Sequence, residues 1–143
     1  APLVERMVSA GREVVVLEKL PERVLPNSRV QHVTTPQALE GCQEILCTAS
    51  TLVNGTLDDI LEACPNTEHF SLVGPSASGM PDPFFAHGVD SIGAIRFDDQ
   101  SLLKQTMETG SSWGKAGAKY EISKTDYPGI TQILARSLNQ GRS

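Results

Sequence analysis

Two stretches of small, hydroxyl-bearing residues dominate the chemistry open to this chain. Cys47-Thr48-Ala49-Ser50-Thr51-Leu52-Val53-Asn54-Gly55-Thr56 and Leu72-Val73-Gly74-Pro75-Ser76-Ala77-Ser78-Gly79-Met80-Pro81 each follow a short apolar run and precede a helical pattern. In a parallel α/β sheet, loops of this kind leave the carboxyl ends of strands, where backbone N–H groups and helix N-termini converge on a ligand. The spacing therefore predicts one crevice, formed by residues 48–56 and 74–81. Its candidate ligand-binding residues are Thr48, Ser50, Thr51, Asn54, Thr56, Gly74, Pro75 and Ser76. Ser50, Thr51, Asn54 and Ser76 suit hydrogen bonding to a carboxylate, phosphate or carbonyl, and Asn54 has the most to give because its amide both donates and accepts. The same residue types also build turns and cap helices with no ligand involved.

Other chemistries have thinner support. Glu18 ends an apolar strand pattern, where dinucleotide-binding folds place the acid that holds a ribose. The glycine-rich fingerprint that should precede it is not in the sequence, so a nucleotide or S-adenosylmethionine reading rests on one carboxylate. A metal needs converging, deprotonated ligands. The candidates are His87, Asp82 and Asp90, with Glu18, and with Cys47 and Met80 if the metal is soft. Asp82 and His87 stand five apart rather than the three or four that share a helix face. His87, just before Gly88, also suits a favourable charge at a helix C-terminus. His32 and His69 flank strands and read as structural. For nucleophilic catalysis, Gly74-Pro75-Ser76 lacks the second half of a G-x-S-x-G elbow. Trp113, in a Gly/Ser loop, suits either a lid or a packed anchor.

Composition narrows the classes. A chain of 143 residues is long enough to bury a core as one domain, here residues 1–138 with a tail at 139–143. A formal net charge of -5, with 12 scattered Lys plus Arg, argues against nucleic acid and anionic membrane as partners. No apolar run approaches the roughly 18 residues that span a bilayer, and no signal segment opens the sequence, so a cytoplasmic protein is expected. Three cysteines with no C-x-x-C pair fit neither a disulfide framework nor a zinc knuckle. Reduced thiols are expected, with Cys47 a small core hydrophobe and Cys42 and Cys64 closing helical patterns.

The elements that must position these residues alternate along the chain. Leu3, Val4, Met7 and Val8 give a helical stripe between Pro2 and Gly11, and strands are expected at 13–18, 30–33, 44–48, 69–73, 91–97 and 119–122. Short helices are predicted after Thr35, after Thr56, over 81–87, over 99–108 and beyond Pro128, and 111–117 reads as a flexible loop. This alternation predicts an α/β, doubly wound, mostly parallel sheet with helices on both faces. Such a fold opens with a central strand whose loop meets the ligand, yet the sequence begins at the first helix. A first central strand upstream of Ala1 is therefore expected, together with a strand edge able to pair with a second copy as a homodimer.

Pro2-Leu3-Val4-Glu5-Arg6, Val16-Leu17-Glu18, Thr48 to Thr56, Val73-Gly74-Pro75-Ser76 and Phe84-Phe85-Ala86-His87-Gly88-Val89-Asp90 resemble, in order, the Rossmann-like domain of the putative heavy-metal chelation family. The resemblance runs from Ala1 to about Ile122. It implies a bacterial or archaeal protein of unknown function, a heavy-metal ion or metal complex as the cofactor, and an upstream domain similar to the N-terminal part of enolase as partner. The expected function is a small-ligand-binding Rossmann-like domain. A nucleotide- or S-adenosylmethionine-using enzyme and a non-catalytic interaction scaffold stay open as alternatives.

Overall fold

Runs of β-branched and apolar residues set the strands of this chain, and glycines at positive φ stop several of the elements between them. The computed structural model describes residues 2–24 and 26–140. In chain order the elements are α1 (Pro2–Ser9), β1 (Val14–Leu17), β2 (Val30–Val33), β3 (Glu44–Thr48), α2 (Ser50–Val53), α3 (Leu57–Ala63), β4 (His69–Val73), α4 (Pro81–Ala86), β5 (Ser91–Arg96), α5 (Gln100–Glu108), β6 (Ala118–Ser123) and α6 (Ile130–Gln140). Short 3-10 turns occupy Pro21–Arg23, Pro36–Leu39, Pro75–Ala77 and Trp113–Ala116. The expected α/β class with parallel-dominated sheets is the one observed.

The chain divides into two compact units, Ala1–Gln43 with Leu57–Thr67, and Glu44–Thr56 with Glu68–Ser143. In the first unit β1 and β2 pair in parallel, Val14 opposite Val30 and Leu17 opposite Val33. The Pro36–Leu39 turn and α3 pack together, with Leu39, Leu57 and Ile60 buried. The sequence predicts an ordinary short helix capped by Thr35 at that turn. The chain forms a 3-10 turn instead, and the Thr35 side chain caps nothing. The bonding there is i→i+3, Ala38 N–H donating to Thr35 O at 3.2 Å and Glu40 N–H to Gln37 O at 3.1 Å.

The second unit holds a four-stranded sheet in the order β3-β4-β5-β6, parallel except for antiparallel β6. Burial alternates along β3 and β4, the pattern of strands packed on one face. Ile45, Cys47, Phe70, Leu72, Ile92 and Ala94 share the buried face and form the core. In register on the other face lie Leu46 and Thr48, Ser71 and Val73, Ser91, Gly93 and Ile95, and Lys119 and Glu121 from β6. Asp99 caps α5 by accepting from Leu102 N–H at 2.9 Å, so the acid expected within its first turn stands one position ahead of it. Among the described residues no helix is long and apolar enough to cross a membrane. Helix α6 runs to Gln140, two residues into the expected tail, and 141–143 lie outside the described residues.

Candidate functional site

The two hydroxyl-rich loops do adjoin at the carboxyl ends of β3 and β4. Ala49 is fully buried and its N–H donates to Val73 O at 2.7 Å, while Gly74 N–H donates to Gly93 O at 2.8 Å. Gly74 takes φ 136°, a conformation open almost only to glycine, and a Cβ there would stand 3.3 Å from the Cβ of Ala49. The stretch after β3 is not an open loop, because Ser50–Val53 closes into the single helical turn α2. Its hydroxyls are spent largely on one another. Thr51 Oγ1 donates to Thr48 O at 2.7 Å and lies 3.4 Å from Cys47 Sγ, and Thr48 Oγ1 sits 3.2 Å from Ser50 Oγ. Asn54 Oδ1 accepts from Thr56 N at 3.2 Å and Thr56 Oγ1 at 2.7 Å, an Asx turn leading into α3. Burial pushes the Cys47 thiol up, partly opposed by its Thr51 bond, as befits a core residue.

Beside this junction lies a cavity of about 790 Å³, within the range of small-molecule sites. Its lining joins Val73, Gly74 and Pro75 to Gly93, Ala94 and Ile95 of β5, to Ser112 and Gly114, and to Lys119, Tyr120 and Glu121 of β6. Gly93 keeps the floor open, since a Cβ there would meet Val73 Cγ1 at 3.0 Å. Gly74 and Pro75 are the residues of the predicted crevice that line this cavity; Thr48, Ser50, Thr51, Asn54, Thr56 and Ser76 do not. Lys119 and Glu121, opposite Ile95 and Gly93, contribute an exposed cation and carboxylate that carried no signal in the sequence. The Trp113 side chain, expected as lid or anchor, lies outside the described residues.

The predicted metal ligands serve the fold. Asp82 Oδ2 accepts from Tyr127 OH at 2.7 Å and its Oδ1 from Ile130 N–H at 3.1 Å, tying α4 to the start of α6. The Tyr127 bond, then the Ile130 bond, holds the Asp82 carboxyl below the usual range, and the same contact raises the Tyr127 phenol. Tyr127 also packs on Phe85, ring centroids 5.6 Å apart. His87 Nδ1 lies 2.7 Å from Pro83 O, and Asp90 Oδ2 accepts from Phe70 N–H at 2.9 Å. Met80 is exposed. Glu18 belongs to the first unit, where its Oε1 accepts from Leu20 N–H at 3.1 Å. Among the described residues no group of three or more His, Cys, Asp or Glu side chains could hold a metal ion. The cavity itself presents oxygen donors and an ammonium, without thiol or imidazole, a donor set that does not suit a bare soft metal.

A mostly parallel sheet with helices between its strands and a cavity beside the turn after β4 defines an α/β class of domain. The family model described as putative heavy-metal chelation, DUF364, matches residues 1–124, and the chain belongs to this family. It is similar to a solved protein of unknown function from the same family in Pyrococcus horikoshii, with 25% identity, a TM-score of 0.69, and coverage of 86% of this chain and 52% of that one. A second solved family protein of unknown function, from Desulfitobacterium hafniense DCB-2, is 20% identical with a TM-score of 0.61, covering 79% of this chain and 53% of its own; it shows the fold alone. The chain thus spans about half the length of these solved proteins. No curated protein matches it.

Proposed function

We propose that this chain is a small-ligand-binding domain whose ligand occupies the cavity between the Gly74-Pro75 turn and β6. The observation that carries the reading is the presence of Lys119 and Glu121, two positions apart on one face of β6, beside an open, otherwise largely apolar floor of Val73, Gly93 and Ile95. A pocket of that kind orients a small polar molecule by a few placed charges and retains it through apolar contact. Lys119 suits an anionic group, and Glu121 a donor or cation carried by the same molecule. Within a family described as heavy-metal chelating, the ligand class that fits these donors is a metal already held in an anionic organic chelate. The metal then brings its own first coordination sphere, and the protein reads the chelate. Thermal-shift measurements on the full-length protein test this reading against a panel of metal–chelator complexes, free metal ions and adenosine nucleotides. Stabilisation by a chelate complex supports it; stabilisation by nucleotides or S-adenosylmethionine alone replaces it with the cofactor-using reading.

A further inference from the structure

We propose that the cavity is one end of a longer site on the open face of the four-stranded sheet, and that its other end is a hydrogen-bonding relay of His69, Ser91 and Ser71 that takes a second anionic group of the same ligand. The inference rests on the cavity reading and extends it to a ligand class: an elongated, peptide-like molecule with an anionic group at each end and N–H donors between them. His69 Nε2 lies 3.3 Å from Ser91 Oγ, and Ser91 Oγ lies 2.8 Å from Ser71 Oγ. Ser91 is 3% exposed, Ser71 half-buried and His69 exposed, so the relay runs from the surface through a buried hydroxyl and back to the open face. With the imidazole proton on Nε2, His69 donates to Ser91 and Ser91 donates to Ser71. The Ser71 hydroxyl hydrogen is then left to donate outward, strengthened by the two bonds behind it. An anionic oxygen is the acceptor that gains most from such a donor.

Register puts the relay and the cavity on one surface. Ser71 stands opposite Ser91 and Val73 opposite Gly93, while Glu121 and Lys119 stand opposite Gly93 and Ile95. Strands that helices cover on both faces read as near-continuous apolar runs. The face away from the core breaks that rule at Ser71, Ser91, Glu121 and Lys119, whereas Phe70, Leu72 and Ile92 on the core face keep it. Ile95 lies four positions beyond Ser91 along β5 (95 minus 91), so the Lys119 and Ser71 ends stand about 13 Å apart along the strands. Between them the pairing runs through Gly93 without a bulge, and a glycine in such a strand interior marks a place where a ligand can lie close to the backbone. Glu121 stands opposite that glycine, and its carboxylate accepts from N–H groups. A purely aliphatic diacid offers Glu121 nothing; a peptide-like chain offers it donors.

The test is calorimetry of the full-length protein with N-succinyl-glycine and N-succinyl-triglycine, dianions whose ends differ in separation because each glycine adds roughly 3.5 Å. Wild type should bind the longer probe at least about tenfold more tightly, as one added charge-assisted hydrogen bond implies. Ser71→Ala should reduce the longer probe to the affinity of the shorter one, with melting temperatures recorded alongside. In wild type, where no variant has to fold, the longer probe should shift the imidazole proton resonance of His69 and the shorter one should not. Equal affinity for the two probes, no heat from the longer one, an advantage that survives Ser71→Ala, or a His69 resonance unmoved by the longer probe would overturn the proposal. Where the relay fails and Lys119→Met still abolishes binding of both probes, the cavity reading stands, so the two failures are distinguishable.

Discussion

Gly74 and Ala49 approach so closely that a methyl group on the glycine would stand 3.3 Å from the alanine Cβ, at a backbone φ of 136°. The turn that forms one wall of the cavity thus combines a backbone conformation that favours glycine with a contact that a Cβ would tighten. Gly74→Ala should cost about 1–3 kcal/mol, the usual range for a side chain forced into glycine-only backbone space. Urea unfolding of both proteins measures it, and a loss below the error of the extrapolation would show that the turn relaxes freely.

Gly117 covers Ile95 at the edge of the same cavity. A Cβ at 117 would fall 2.6 Å from Ile95 Cγ1 and 2.7 Å from Cδ1. Gly117→Ala should therefore destabilise by about 1–3 kcal/mol through overpacking. Adding Ile95→Val, which removes the Cδ1 methyl, should return part of that loss as a favourable coupling in a double-mutant cycle. Strict additivity would place the strain elsewhere.

Asp82 contributes stability with a defined pH sign. Its folded carboxyl is held below its unfolded value by Tyr127 and Ile130, so the contribution is complete above the ordinary aspartate value of about 3.9 and is lost as pH falls through the lower folded value. The melting temperature of Asp82→Ala should lie below wild type at neutral pH, and the gap should narrow on acidification through that window. A gap independent of pH would mean that the carboxylate charge plays no part in joining α4 to α6.

Much of this architecture can be read from local pattern. β3, Glu44–Thr48, falls on the predicted strand because Ile45, Leu46 and Cys47 form an apolar run between turn signals, and α5 begins one residue after the Asp99 expected to open it. The α2 turn is not legible. Thr51 and Val53 are poor helix formers, and the turn is held by contacts such as the Thr51 Oγ1 bond to Thr48 O that no periodicity reports. In the candidate site, Gly74-Pro75 is visible as turn chemistry, whereas Lys119 and Glu121 read as ordinary charges on an edge strand. Their place above Gly93 and Ile95 follows from antiparallel register with β5, set by residues more than 20 positions away. The hydroxyls of Thr48, Thr51 and Thr56 were legible as polar loop residues, but their donors and acceptors close on neighbours.

Calorimetry of the full-length protein against an anionic metal–chelator complex tests the central claim most directly, using Lys119→Met and Asn54→Ala beside wild type. Both positions are exposed; Lys119→Met should change stability by no more than about 0.5 kcal/mol and Asn54→Ala, which loses the two bonds from Thr56, by about 0.5–2 kcal/mol, so melting temperatures measured alongside separate lost binding from lost fold. The account predicts that Lys119→Met weakens binding at least about tenfold, the equivalent of 1.4 kcal/mol, while Asn54→Ala binds as wild type does. Binding that survives Lys119→Met and disappears with Asn54→Ala would contradict it and move the site to the hydroxyl-rich turn after β3.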